Sequence, residues 1–549
     1  MGGALIQASV EKTALKYLCV RPTGGGKSLV FNAAAAVIKG VTICVCPLLS
    51  LGADQSKKVL SKSGANCKSI ASFHLDELSS KAIRALKQWL ETPGNLSSTS
   101  IIIFTSPQAF ENHYYTFLDF MIKQNMVRLV VVDEIHLVAH FGSSFRKVFH
   151  VLKSKLFMAI KSPIPMLFLT ATCSTYITST LQTMFGIQFN GVHWPDAANM
   201  KHRKVKVILQ YTSRAFQYVS SNIKSSLAPH PTLPNKVIVY SNRRTRIENF
   251  AEKLEALLDK DPIHCSIDVL TLVGTLTKEE KAANIRLFLN GSVIDTSTTD
   301  VRVLCATSGV GNAGIDSPDV RSVYRIDFPP SLLDVIQEKG RAGRRADATS
   351  NDYSYHICIS LESLLFLFKR ILNPKEEVND ESYRLQQIED LLMTCKVLIS
   401  PLCFAVAFET ILANPASIGT QPLIAPCYDC PACRCLRLFP RVRRDGVCEI
   451  IFDLFIQTTM VYTLENVIKH IRKLPNVGFK LLQKNVKKII PLDIKKVLFL
   501  LISARILEVE YDSTLEKGGD VVFRLAKVQG SAFNLALLDD NYWESIDTF

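Results

Sequence analysis

The stretch RPTGGGKS at residues 21–28 limits what this chain can fold into more than any other. The apolar residues 17–20 before it predict a short buried strand. SLVFNAAAAVIK, following Lys27, is Ala-rich and predicts a helix. A strand, a Gly-rich turn and a helix in that order make a cradle for phosphate. Gly24, Gly25 and Gly26 leave backbone N–H groups free to wrap its oxygens at the helix N-terminus. In that arrangement Lys27 neutralises the β/γ-phosphates and Ser28 offers its hydroxyl to Mg²⁺. Arg21 stands where the strict pattern has Gly.

Such a site needs a carboxylate to hold the metal, and MVRLVVVDEIH (126–136) supplies one. Its continuous apolar run reads as a central parallel strand, and it ends in Asp133 and Glu134. Asp133 is placed to hold Mg²⁺, directly or through water, and Glu134 to polarise an attacking water.

At 549 residues the chain exceeds one core and should divide into three or four domains. Lys and Arg number 64 against 50 Asp and Glu, a formal +14 that favours a polyanionic partner such as nucleic acid. The start, MGGALIQASV, lacks the order of a signal peptide, and Ile6 breaks the myristoylation pattern. The longest apolar runs fall short of a membrane span, so no membrane partner is expected and the chain reads as soluble and intracellular. Fifteen cysteines then suggest reduced thiols and a metal rather than disulfides.

With PTGGGKS and DEIH together, the chain resembles superfamily 2 helicases. DEIHLVAHFGSSFRKVF further resembles the aromatic-rich loop of RecQ-family DNA helicases, with Phe141, Phe145 and Arg146 on its aromatic and arginine positions. Such rings stack on unpaired bases, and an Arg meets phosphate or stacks as well. The other family motifs appear in order: VCPLLSLGADQ, IIIFTSPQAF, LFLTATCS, KVIVYSNRR, VRVLCATSGVGNAGIDSPDVR and QEKGRAGRR. The resemblance implies two RecA-like parallel-sheet α/β lobes with ATP between them. It gives nucleotide contacts to Thr23, Gln337, Gly314 and Asp316, and DNA contacts to Ser106, Pro107 and Thr307. Thr170 and Thr172 would link the two sites. Arg341 and Arg344 would reach the γ-phosphate from the second lobe and stabilise the transition state.

Three departures stand out. The VRVLCATSGVGNAGI motif carries one residue more than usual between Thr307 and Ile315. The customary His-Ala-Gly reads LVG at 272–274, and Gln7 lies too near the phosphate turn to serve as an adenine-reading glutamine. The last departure suggests either an N-terminal truncation or a loose selection for ATP.

CYDCPAC places Cys427, Cys430 and Cys433 at a spacing that suits tetrahedral Zn²⁺, with Cys435 able to replace Cys433. RecQ-like proteins carry a small helical zinc module here, and Cys403 is the candidate fourth ligand, with Cys395 its competitor. Beyond it, TLENVIKHIRKL (463–474) predicts an amphipathic helix. IKKVLFLLISARILEVEY (494–511) predicts a helix running into a strand, and DVVFRLA (520–526) completes a hairpin. That order fits a winged-helix domain.

The expected organisation is therefore lobe 1 over residues 1–200, lobe 2 over 201–372, the zinc module over 373–440 and the winged helix over 441–549. The expected function is an ATP-dependent 3′–5′ DNA helicase acting on single-stranded and duplex DNA in recombination and repair. A nuclear setting and genome-maintenance protein partners follow from the resemblance. The alternatives are an RNA-dependent ATPase of the same superfamily and a degenerate ATP-binding scaffold that contacts DNA without unwinding it. The sequence carries no sign of oligomeric state.

Overall fold

Central parallel strands are covered on both faces, so their sequences are apolar throughout rather than alternating. The first unit shows this plainly. Its strands are β1 (Lys16–Val20), β2 (Gly40–Val45), β3 (Ile70–His74), β4 (Ser100–Thr105), β5 (Val127–Val132), β6 (Met166–Thr170) and β7 (Gly191–His193). They lie in the order β3-β4-β2-β5-β6-β1-β7 with every neighbour parallel. β2 and β4 are buried along their whole length, and β5 exposes only Arg128.

Successive side chains feed two cores. Cys19, Cys44 and Phe104 pack under α1 (Gly2–Val10) and α2 (Lys27–Val37). Leu18, Ile43 and Ile103 pack on the other face, with α3 (Ser80–Glu91) and α4 (Tyr115–Lys123). The short strand β7 has no apolar pattern to announce it. It closes against β1 through Gly191, where a Cβ would come within 2.8 Å of the Tyr17 ring.

The computed structural model describes residues 2–11, 13–21, 26–46, 70–136, 151–170, 178, 181–182, 185–186, 188–193, 205–226, 235–258, 267–290, 301–308, 315, 317, 319–343, 353–373, 381–398, 404, 462–473, 491–503, 507–514 and 520–525. These divide into two compact units, one up to Lys201 and one from His202 onward.

The second unit holds a sheet of β8 (Lys206–Tyr211), β9 (Asn235–Ser241), β10 (Ile267–Leu272), β11 (Val301–Thr307), β12 (Val320–Arg325) and β13 (Ser354–Ile359). Its order is β10-β11-β9-β12-β13-β8, again all parallel. α5 (Ala215–Ser226) and α6 (Arg244–Leu258) bury Val219, Ile223, Phe250 and Leu254 against Val237 and Val239. α7 (Lys278–Asn290), α8 (Leu332–Lys339), α9 (Leu361–Leu372) and α10 (Glu381–Leu398) complete this region. The two parallel-sheet lobes expected from the sequence are both present.

Further along the chain come β14 (Tyr462–Thr463), α11 (Leu464–Lys473), α12 (Pro491–Ser503), β15 (Leu507–Asp512) and β16 (Asp520–Leu525). The strands form an antiparallel sheet in the order β14-β16-β15. This region sits on α9 and its surroundings. Lys495 pairs with Glu362, and the Phe499 ring meets Tyr211 at 6.1 Å and Phe328 at 5.8 Å.

Among the described residues no group of three or more His, Cys, Asp or Glu gathers to hold a metal. Cys403, Cys427, Cys430, Cys433 and Cys435 lie outside those residues, while Cys395 is buried in α10. Among the described residues, no helix is long and apolar enough to cross a membrane.

Candidate active site

The strand order brings the carboxyl ends of β1, β6 and β5 side by side, and the first lobe's polar residues collect there. In open parallel sheets the carboxyl edge is where ligands bind. Gly26 precedes α2 with φ 81°, a left-handed conformation that costs glycine little, and the helix begins at Lys27. Lys27 is buried to 9% exposure, yet its Nζ reaches Glu134 Oε1 at 3.0 Å.

Glu134 follows β5 in a tight turn and holds φ at 46°, uncommon for a residue with a side chain. The turn is pinned from both neighbouring strands. Asp133 N–H donates to the Val45 carbonyl at 2.9 Å, and Ile135 N–H to the Leu169 carbonyl at 2.9 Å. Asp133 is 3% exposed, and its Oδ1 accepts the Glu134 N–H at 2.9 Å. The second oxygen of Glu134 lies 3.3 Å from Nδ1 of the fully buried His136, and that nitrogen shares a 2.9 Å hydrogen bond with Thr170 Oγ1. Thr170 ends β6, and its carbonyl accepts the Arg21 N–H at 2.9 Å.

Lys27, Glu134, His136 and Thr170 thus form one connected chain across three strand ends. Reading single residues passed over His136, although it is the last letter of DEIH. Its place as the fourth residue of DEIH was the signal for it.

Ser28 is half-buried in the first turn of α2. Thr23, Gly24, Gly25, Thr172, Phe141, Phe145 and Arg146 lie outside the described residues. Ser106 is buried and fully engaged. Its hydroxyl donates to Asp76 Oδ1 at 2.6 Å and accepts the Ala109 N–H at 3.2 Å, while its own N–H donates to Asp76 Oδ2 at 2.9 Å. Pro107 is buried behind it. Asp76, which no motif flagged, organises this turn.

In the second lobe Thr307 closes β11 and is half-buried, as is Gln337 on α8. Arg341 is buried just past α8 and donates Nη1–H to the Ile315 carbonyl at 2.8 Å. Arg344, Gly314 and Asp316 lie outside the described residues.

The comparisons agree with this arrangement. Residues 5–180 match the DEAD/DEAH box helicase family, and residues 219–346 match the helicase conserved C-terminal domain. Two parallel-sheet lobes matching those two domains in that order define a superfamily 2 helicase. The chain is 28% identical over 365 residues to the RecQ-like DNA helicase BLM of Xenopus laevis, covering 63% of this chain and 24% of that protein. It is 26% identical over 354 residues to the RecQ-like DNA helicase blm-1 of Caenorhabditis elegans, covering 63% and 32%. With the ATP-dependent DNA helicase RecQ of Bacillus subtilis it shares 25% identity over 335 residues, covering 59% and 48%. Within that superfamily the chain is similar to RecQ-like helicases. It spans less than half the length of these three relatives.

Proposed function

We propose that the chain couples ATP hydrolysis to separation of DNA strands, moving 3′ to 5′, in recombination and repair. The connected Lys27–Glu134–His136–Thr170 array carries this reading. It puts a cation at a helix start facing the Glu134 carboxylate, with Asp133 beside it at the end of β5, a donor set that suits a magnesium-bound triphosphate. Lys27 and the glycine turn would hold the phosphates, while Ser28 and Asp133 would hold Mg²⁺. The metal would supply charge neutralisation on the phosphate oxygens.

Glu134 is the group placed to accept a proton from an attacking water. Its pairing with Lys27 has a consequence: a phosphate that competes for Lys27 frees Glu134 for that work. The other carboxylate oxygen lies 3.3 Å from Nδ1 of His136, the nitrogen that shares a hydrogen bond with Thr170. Arg341 and Arg344 are proposed to stabilise the transferring phosphoryl group, and Phe141, Phe145 and Arg146 to contact unpaired DNA. Ser106 would act by shaping its turn, since both hydroxyl functions are engaged within the fold.

Two finer assignments join this proposal. Cys427, Cys430 and Cys433 with Cys403 would bind a structural zinc, and residues 441–549 would form a winged helix against duplex DNA. The element order of two helices followed by a hairpin supports the latter. A nuclear setting and genome-maintenance partners belong to the same reading.

The test is steady-state ATP hydrolysis with no nucleic acid, with single-stranded DNA and with single-stranded RNA. Hydrolysis strongly stimulated by DNA and lost in Lys27→Ala is the expected result. Preferential stimulation by RNA would make the chain an RNA-dependent ATPase, and DNA binding without hydrolysis would make it a scaffold.

A further inference from the structure

The second lobe contains a buried ionic cluster whose central residue, Arg325, lies in no motif. Arg325, the last residue of β12, has 0% exposure, and so has Glu338 on α8. Arg325 Nη1 contacts Glu338 Oε1 at 2.5 Å and Ser308 Oγ at 2.6 Å, and Nε lies 2.9 Å from Asp327 Oδ1. Nη2 donates to Asn242 Oδ1 and to the Phe328 carbonyl. All five N–H bonds of the guanidinium therefore face acceptors. Asp327 Oδ2 in turn accepts Ser241 Oγ–H at 2.7 Å and the Asn242 N–H at 2.8 Å, and Glu338 Oε2 accepts the Tyr355 hydroxyl at 2.8 Å.

One side chain thus binds the end of β9 in KVIVYSNRR, the residue after β11 in VRVLCATSGV, and α8 in QEKGRAGRR. The connection reaches the last of these at a telling point. Glu338 is the residue before the end of α8, and its carbonyl accepts the Arg341 N–H at 3.0 Å. The conformation of the segment leading to the motif arginines starts from it.

Stability alone would not select this arrangement. A carboxylate in the last turn of a helix opposes the helix dipole, and a fully buried ion pair is often no better than apolar side chains of the same volume. Burial pushes the Glu338 carboxyl up to about 7, against the opposing pull of Arg325. The cluster is therefore held at a cost that unique geometry would justify.

We infer that Arg325 and Glu338 are positioning residues for ATP hydrolysis, fixing the start of the Arg341–Arg344 segment relative to the motif ends at Asn242 and Ser308. The inference rests on the reading of the chain as an ATP-driven motor. Neither side chain is assigned a contact with nucleotide or DNA; their effect is on where the arginines stand.

The experiment measures kcat and KM for ATP on the full chain with saturating oligo-dT, in Glu338→Gln and in Tyr355→Phe. Melting temperature and oligo-dT affinity are measured alongside. Misplacing a charge that stabilises the transition state lowers kcat while leaving ground-state binding in place. Glu338→Gln should lower kcat by about 10- to 100-fold, with KM and oligo-dT affinity within about threefold of the parent. Tyr355→Phe removes one hydrogen bond from Glu338 and should lower kcat by roughly threefold with KM unchanged. Should Glu338→Gln fail to fold, Tyr355→Phe decides alone. A folded variant set with kcat within twofold of the parent overturns the inference, as does a rise in KM that accounts for the whole loss. A parent protein that DNA does not stimulate would instead overturn the motor reading itself.

Discussion

The two lobes share a parallel-sheet plan but treat their charged residues in opposite ways. In the first, Lys27 and Glu134 meet at a strand edge with side chains 9% and 20% exposed, so a ligand can displace either from the other. In the second, Arg325 and Glu338 meet with no exposure at all, and their remaining hydrogen-bonding capacity is met inside the lobe. One ion pair is arranged to be exchanged and the other to be kept. A charge at an accessible edge is available for chemistry, whereas a sealed one can only set geometry.

Four experiments can break or sharpen that contrast. The largest effect is expected for Lys27→Ala, which should cut DNA-stimulated hydrolysis by on the order of 10³-fold while moving the melting temperature little. Arg325→Met should do the reverse to the fold. It strands Glu338 and Asp327 in a sealed interior, which costs about 3–5 kcal/mol in denaturant unfolding. If Lys27→Ala and Arg325→Met destabilise equally, the contrast fails.

Acid should also separate the lobes. His356 on β13 is held neutral by burial, with nearby Lys206 adding to the effect, and its pKa is lowered to about 4. The unfolded chain then binds the extra proton between about 6.5 and 4, so second-lobe stability is present above pH 6.5 and falls as pH drops toward 4. The full loss is on the order of 3 kcal/mol. A His356→Gln variant should flatten that slope in urea melts recorded across this range. The smallest effect belongs to Ser106→Ala, which removes the cap accepting the Ala109 N–H and should cost about 1 kcal/mol. A loss of DNA affinity out of proportion to that change would return Ser106 to a direct contact.

Much of this was readable from the residues because both sheets are parallel. LVVV before Asp133 and IIIF before Thr105 announce strands covered on both faces, and the glycine turn before Lys27 announces what their edge carries. The first-lobe site is nearly contiguous with such signals. The second-lobe cluster is not. Arg325 stands in VRSVYRIDF as a charge that ordinary patterning sends to solvent, and while Asp327 and Phe328 are close in sequence, its partners Glu338, Ser308 and Asn242 lie 13, 17 and 83 residues away. Asp76 escaped for the same reason, being 30 residues from the serine it holds. Local periodicity records which face is buried, and it holds no trace of which distant donor satisfies a buried acceptor.

The pairing of β1 bears on how the protein is made. This strand carries the glycine turn, and its partners are β6 and β7, with Lys16 opposite Met166 and Tyr17 opposite Gly191. At a translation rate of roughly 5–20 residues per second, β1 leaves the ribosome on the order of ten seconds or more before either neighbour exists. During that interval an apolar strand is open on both edges and available to other chains. Soluble yield should therefore follow how fast the ribosome reaches Met166, and slow codons placed just ahead of that position should lower it.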